Sequence, residues 1–250
     1  MATRARLFVS PDRLGPSVVL RGAEHHYLAS VLRLRPGAQV TLLDGQGRQA
    51  LAVVSAVHAQ TIELSAEPPT HVSVAQPTLV LFVGLLKGDK QDFVIQKATE
   101  LGASRIVPVQ CDRSVPQLLG ERSAAKHRRW QDIAKGAAQQ SKRADVPDIA
   151  QVQTLEVSLR EAEGQKLLFY EGCAPPLAQV LDPGAAPKVV SLLIGPEGGL
   201  ADSEIEAAKA VGFSSVSLGP LVLRAETAVV AALAVVGYLL SQGADDAKSC

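Results

Sequence analysis

The 250-residue chain carries 25 Lys and Arg against 25 Asp and Glu, a formal net charge of zero, with 47% hydrophobic and 20% charged residues. That balance excludes global disorder, collagen-like repeats and low complexity, and the length suffices for one or two domains with buried cores. The three scattered cysteines, Cys111, Cys173 and Cys250, form no C-x-x-C pair, so reduced thiols are expected, with neither a disulfide framework nor a metal.

The first residues, Met1-Ala2-Thr3-Arg4-Ala5-Arg6, precede no apolar signal core, and the longest apolar run, 228–240, falls short of the roughly 20 residues that span a bilayer. A cytoplasmic protein without membrane association is expected. Residues 1–73 read as a small β-rich domain. Gln39-Val40-Thr41-Leu42-Leu43 followed by Asp44-Gly45-Gln46-Gly47 signals a hairpin, because Asp-Gly tolerates the positive φ of such turns. Strands continue at 50–57 and 61–64. One short helix falls near 25–32 and ends at Arg35-Pro36-Gly37, and residues 67–77, bounded by prolines, read as a linker.

Residues 76–243 read as a second domain, with 244–250 as a tail. Its strands and helices alternate, the pattern of a mostly parallel sheet covered on both faces. Residues 78–86 are a continuous apolar run suited to a doubly covered strand. Asp89 is placed to cap a helix that runs to Leu101 and stops at Gly102, and a short strand follows at 106–109. Residues 113–143 hold eight Lys and Arg against two acids, whereas 144–250 hold six basic and fourteen acidic residues. A basic segment in a neutral chain points to an anionic partner. Within it Trp130, Ile133, Ala134, Ala137, Ala138 and Ser141 share one helical face, so Trp130 reads as core before it reads as a base-stacking platform. Strands are expected at 167–170, Val189–Ile194 and 215–218. A helix at 203–211 has Ser203 and Glu206 at capping-box spacing. The last helix, 227–240, is apolar on nearly every face and must be buried all round, by its own domain or a second subunit.

Two strand-to-helix loops carry the chemistry. Gly195-Pro196-Glu197-Gly198-Gly199 follows a buried strand, at the sheet end where ligands bind and where glycines admit them to the backbone. It is neither a Walker A loop nor a G-x-G-x-x-G fingerprint. Leu218-Gly219-Pro220-Leu221-Val222-Leu223-Arg224-Ala225-Glu226-Thr227-Ala228 sets Arg224 and Glu226 against the most apolar helix. Charges so placed pair with each other or serve a ligand.

These loops resemble the signature of the SPOUT class of RNA methyltransferases, and within it the RsmE family of 16S ribosomal RNA (uracil-N3) methyltransferases. His26 with Val31-Leu32-Arg33 and Gly37 is similar to the family's N-terminal domain. Lys87-Gly88-Asp89-Lys90 with Lys97-Ala98-Thr99-Glu100-Leu101-Gly102 is similar to its first methyltransferase motif. Arg113-Ser114, Trp130, Ile133, Ala137, Gln140, Ser141, Arg143 and Pro147 are similar to its central helix. The resemblance implies an α/β protein with an N-terminal PUA-like β-barrel and a C-terminal SPOUT α/β domain tied in a deep trefoil knot. It implies a homodimer to which the last helix contributes. It also implies S-adenosylmethionine as cofactor, held at Leu86, Glu171, Ile194, Gly195, Pro196, Glu197, Gly198, Gly199, Leu218, Gly219, Leu221, Leu223, Arg224 and Thr227. With 16S rRNA of the small subunit as partner, Arg4, Arg6, Arg33, Lys87, Arg113, Arg128, Arg129, Lys142 and Arg143 become the expected phosphate contacts, and binding is expected to be salt-sensitive.

Some positions depart from the family pattern: Gly136 and Gln139 stand where Glu is common, Leu200-Ala201 replaces an aromatic-Ser pair, and Ala225 replaces Thr. Methylation at uracil N3 requires in-line alignment, loss of the N3 proton and an unpaired or flipped base. Arg224 is expected to stabilise negative charge on the uracil oxygens, and Glu226 or Glu197 to orient Arg224 or accept the proton. His25, His26, His58, His71 and His127 are expected to be structural or RNA-facing. Two alternatives stay open: a SPOUT enzyme acting on transfer RNA or 23S rRNA, and a non-catalytic assembly factor that binds rRNA.

Overall fold

A computed structural model of the chain describes residues 5–72, 77–118, 121–185 and 187–246, which fall into two units. The first unit comprises the residues up to 72 together with Ala138–Val146, and the second comprises 77–137 and Pro147 onward.

In the first unit the chain runs through β1 (Ala5–Phe8), a 3-10 turn at Pro11–Arg13, β2 (Ser17–Arg21), α1 (Gly22–His25), a π turn at His26–Val31, β3 (Gln39–Leu43), β4 (Arg48–Val57), β5 (Thr61–Ala66) and β6 (Thr70–His71). The six strands form one sheet of order β1-β3-β4-β5-β2, with β6 on β4. The β1–β3 pair is parallel and the others are antiparallel. Alternate residues of β2, β4 and β5 are buried, and Leu20, Leu28, Val40, Leu42, Ala52, Ile62 and Leu64 make the core. A smaller cluster joins Phe8 and Leu43 to Ala138, with Ala144 and Val146 against it, which places residues 138–146 in this unit.

The β3–β4 hairpin forms as expected, but Asp44 does not take positive φ; Gly45 (φ 76) and Gly47 (φ 86) do. The Asp44 carboxylate instead ties the turn, accepting from the backbone N–H of Gln46 (2.8 Å) and Arg48 (2.9 Å) and from Arg48 Nε (2.6 Å). Burial works against this carboxylate, yet the Arg48 and backbone donors outweigh it and hold its pKa below the ordinary value. The helix near 25–32 begins earlier, at Gly22, and widens into a π turn in which Leu32 N–H bonds Tyr27 O. It ends at Arg33, whose φ of 53 is left-handed, and not at Arg35-Pro36-Gly37. The expected linker contains β6, because Thr70 and His71 find open backbone partners on β4; residues 73–76 of it lie outside the described residues.

The second unit continues with β7 (Thr78–Gly84), α2 (Lys90–Glu100), β8 (Ala103–Gln110), α3 (Glu121–Gln140), β9 (Asp148–Ile149), β10 (Gln153–Thr154), α4 (Leu155–Glu161), β11 (Gln165–Phe169), α5 (Leu177–Val180), a 3-10 turn at Pro183–Ala185, β12 (Val189–Ile194), α6 (Asp202–Ala210), β13 (Ser214–Val216) and α7 (Ala225–Asp246). Its sheet has the order β10-β8-β7-β12-β11-β13, with β9 on β8, and every pairing among the described residues is parallel. The buried stretches of the central strands β7, β11 and β12 are apolar, as a sheet covered on both faces requires, except for Ser191 on β12, whose hydroxyl donates to Glu163 O at 2.7 Å. Gly102 ends α2 at φ 92 as expected. Asp89 occupies the cap position, but its side chain makes no capping bond, because its backbone is already helical. In α6 the capping pair falls at Ala201 and Glu204, not at Ser203 and Glu206: the buried Glu204 accepts from Ala201 N–H (2.8 Å) and from Asp112 N–H (2.9 Å).

Trp130 is core, as its helical face implies: it is 1% exposed and its indole N–H donates to Asp92 at 3.1 Å, so no base can stack on it in this arrangement. Gly136 lies on the exposed face of α3 with nothing within 4 Å of where a Cβ would stand. Gly136→Ala is therefore expected to stabilise the chain by about 0.5–1 kcal/mol, read as a higher denaturant midpoint in equilibrium unfolding. Within the single chain, helix α7 is covered on one face. Val229, Ala232, Leu233, Val236 and Leu240 are buried, but Val235 is 40% and Tyr238 63% exposed, so one face of α7 has no cover among the described residues. Among the described residues no helix is long and apolar enough to cross a membrane.

Candidate active site

Strands β7 and β12 pair in register up to Val83↔Ile194, so the loops that follow them leave the sheet side by side. Gly84 exists at this point because the next loop crosses it: a Cβ there would stand 2.4 Å from Pro196 N and 2.5 Å from Pro196 Cδ. The 195–199 loop closes on itself through Gly199 N–H to Pro196 O (2.9 Å), with Gly199 at φ 69. Arg113, which also lines the cleft, braces it by donating from Nη1 to Gly198 O at 3.3 Å.

Glu197 points back toward the loop after β7. Its Oε1 accepts from Lys87 N–H at 3.1 Å and lies 3.5 Å from Lys90 Nζ. Partial burial disfavours the charge, but the Lys87 and Glu197 N–H groups and the Lys90 ammonium outweigh it, and the carboxyl is held below the ordinary Glu value. Glu226, in the first turn of α7, reaches the same ammonium: its Oε1 lies 3.3 Å from Lys90 Nζ, while its Oε2 is buried without a hydrogen-bond partner. The Arg224–Glu226 pair that the sequence allows is thus not formed. Glu226 turns to Lys90, and the exposed Arg224 guanidinium has no partner among the described residues.

The second loop leaves β13 through a turn in which the Ser217 hydroxyl donates to Gly219 O (2.9 Å) and accepts from Gly219 N–H (3.1 Å), with Gly219 at φ 134. Arg224 O then accepts from Ala228 N–H at 2.8 Å and starts α7.

The loops after β11, β12 and β13 enclose a cleft of about 520 Å³, within the range of small-molecule sites. Of the residues expected at a cofactor, Glu171, Ile194, Gly195, Pro196, Glu197, Gly199, Leu218, Gly219, Leu221, Leu223 and Arg224 line it. Leu86, Gly198 and Thr227 are not among its lining residues. Leu86 is buried with its N–H taken by Gln91 Oε1 at 2.9 Å, Gly198 packs on Arg113, and Thr227 is exposed on α7. Glu226 is likewise off the wall. Lys90, Tyr170, Asp202, Val216, Ser217 and Val222, which the loop signatures do not mark, also line the cleft. The only signal for Lys90 was its place in the Lys87-Gly88-Asp89-Lys90 stretch, since its two carboxylates are more than a hundred residues away along the chain.

The expected phosphate contacts separate into two groups. Arg33, Lys87, Arg128 and Lys142 are exposed. Arg129 is exposed but held by Asp92 at 2.6 Å, and Arg113 braces Gly198. Arg6 and Arg143 make contacts within their own unit. Arg6 is half-buried, which pushes its pKa down, and it donates to Arg143 O at 3.3 Å; Arg143 pairs with Asp145 at 2.6 Å. Arg4 lies outside the described residues. Among the described residues no cluster of His, Cys, Asp and Glu has the arrangement of a metal site. Burial pushes the Cys111 thiol up to about 12, which leaves it unreactive, while Cys173 is exposed.

Residues 74–237 match an RNA methyltransferase domain family, and residues 20–67 match an RNA methyltransferase PUA domain. The chain is 33% identical to the ribosomal RNA small subunit methyltransferase E of Bacillus subtilis over 89% of its own length and 90% of that protein's. It is 35% identical to the Synechocystis protein of the same name over 94% of its length and 78% of that protein's. Its fold superposes with a TM-score of 0.85 and 28% identity on ribosomal RNA small subunit methyltransferase E from Neisseria gonorrhoeae bound to S-adenosylmethionine, covering 95% of this chain and 98% of that one. A putative methyltransferase from Legionella pneumophila, also solved with S-adenosylmethionine, gives a TM-score of 0.83 at 30% identity, with 95% of this chain and 98% of that one covered. A PUA-like domain followed by a SPOUT-type methyltransferase domain, with a cleft built from the two glycine-containing loops, makes this chain a member of the ribosomal RNA small subunit methyltransferase E family.

Proposed function

We propose that the chain transfers the methyl group of S-adenosylmethionine to N3 of a uridine in 16S ribosomal RNA. The observation that carries this reading is the cleft itself, walled by the 195–199 and 218–224 loops and lined by Arg224, which has no partner among the described residues. The donor set fits the cofactor. Leu218, Leu221 and Leu223 offer apolar surface to a purine ring, loop backbone offers hydrogen bonds, and the Glu171 and Asp202 carboxylates suit a ligand that carries positive charge. When bound, the cofactor supplies an electrophilic methyl group on a sulfonium. The chain's own residues align it and exclude water.

Arg224 is free to meet the acceptor base and stabilise charge on its carbonyl oxygens. Glu197 is a weak proton acceptor, because its donors favour the carboxylate; it anchors the 195–199 loop to Lys87. The exposed Arg33, Lys87, Arg128 and Lys142 are assigned to phosphate contacts. A homodimer covering the open face of α7, a knotted passage of the chain through the cofactor region, and a cytoplasmic location belong to the same reading. The exposed Val235 and Tyr238 support the dimer.

The test is methyl transfer from labelled S-adenosylmethionine to small ribosomal subunits from cells lacking this enzyme, followed by nucleoside mass spectrometry. Label in 3-methyluridine of 16S rRNA is the expected result. Label only in transfer RNA or 23S rRNA would replace the target, and no label despite cofactor binding would remove the catalytic reading.

A further inference from the structure

We propose that Lys90 is a second substrate-contacting cation, acting with Arg224 on the two carbonyl oxygens that flank uracil N3, and that this pair selects uracil over cytosine. The proposal rests on the methyl-transfer reading above. Both side chains line the cleft, Lys90 from the start of α2 and Arg224 from the loop before α7. Lys90 Nζ lies 3.5 Å from Glu197 Oε1 and 3.3 Å from Glu226 Oε1. Both distances exceed the roughly 2.7–2.9 Å of a charge-assisted hydrogen bond. The ammonium is held between two carboxylates, and of its three donors at least one is left for a ligand in the cleft. Glu226 is off the cleft wall and keeps Oε2 buried and unpartnered, so it serves as a positioning residue for Lys90. The neighbouring charges on α2 are engaged elsewhere: Asp92 with Arg129 and Trp130, and Lys97 with Glu100.

This arrangement suits the acceptor's chemistry. Loss of the N3 proton leaves an imide anion whose charge spreads over O2, N3 and O4, and one cation can face each oxygen. In cytosine the 4-position carries an amino donor, and methylation at N3 leaves a cation, which two cations repel. No carboxylate base is required. The N3 proton passes to water, the N3 electron pair forms the bond to the methyl carbon, and the carbon–sulfur bond breaks with its pair leaving on sulfur as a neutral thioether.

The test compares the full-length wild type with Lys90→Met and Lys90→Arg on unmethylated small subunits across pH, with cofactor affinity from calorimetry. Wild-type kcat/KM is expected to rise with pH and level off as N3 ionises. Lys90→Met is expected to lose about 10- to 100-fold at neutral pH, with its rise displaced to higher pH, cofactor affinity within about twofold and partial recovery at alkaline pH. Lys90→Arg keeps most activity. Subunits containing 5-fluorouridine, whose N3 is more acidic, should narrow the Lys90→Met deficit. Unchanged activity, the same loss at every pH and on fluorinated subunits, or a fall in cofactor affinity matching the fall in turnover would overturn the proposal and leave Lys90 a clamp for the loop. Wild type that binds cofactor yet forms no 3-methyluridine overturns the underlying functional reading, and with it this one.

Discussion

Arg224→Ala is expected to lower methyl transfer by about a hundred- to a thousandfold at saturating cofactor, the loss typical of removing one preorganised donor from a developing oxyanion. The structure separates this effect from stability. The guanidinium is exposed and has no hydrogen bond or ion pair among the described residues, so its removal breaks no native contact. The thermal midpoint should therefore hold, and calorimetric affinity for S-adenosylmethionine should change by no more than about threefold, since loop backbone and apolar walls supply most of the cofactor surface. An Arg224→Lys variant keeps the charge but loses the planar fork and should recover part of the rate. Turnover surviving in Arg224→Ala would remove the residue from the reaction. A parallel collapse of cofactor affinity would reassign it to binding.

Much of the fold was legible because its signals are local. The doubly covered strands announced themselves as apolar runs, Gly102 sits where a left-handed residue must end α2, and the face containing Trp130 and Ala134 reads directly off the helical period. What was not legible depends on partners distant in sequence. Asp44 looked like a turn residue needing positive φ, but its carboxylate collects three donors and the glycines absorb the strain. Glu204 takes the capping role from Glu206 because Asp112, ninety-two residues away, offers it a second N–H. Charge counted along the chain does not reveal that Arg6 and Arg143 are half-buried against each other and Asp145, which only the fold shows. The same limit applies to the site. The glycine loops carry their own signature, whereas the Lys90 position between Glu197 and Glu226 exists only once β7, β12 and α7 are brought together.

The cleft also depends on a glycine that no local rule singled out. Gly84 ends β7 where the loop after β12 crosses it, and an added Cβ would meet Pro196 N at 2.4 Å, Pro196 Cδ at 2.5 Å and Gly195 C at 2.9 Å. These are backbone and ring atoms, with no flexible side chain to swing aside. Gly84→Ala must then displace the 195–199 loop from β7, pulling Glu197 from Lys87 N–H and Gly195 and Pro196 from the cleft wall. Overpacking of this kind costs about 1–3 kcal/mol. A loop that relieves the strain by moving must take it back to close on the cofactor, so affinity should fall by about 10- to 100-fold, at about 1.4 kcal/mol per factor of ten. The thermal midpoint should fall as well, and added S-adenosylmethionine should raise it less than in the wild type. Gly136→Ala, also a methyl added at a glycine but at an open position on α3, is the control and should move stability the other way. Wild-type cofactor affinity in Gly84→Ala would show that the 195–199 loop does not set the pocket, and the assignment of the cleft to S-adenosylmethionine would lose its main geometric support.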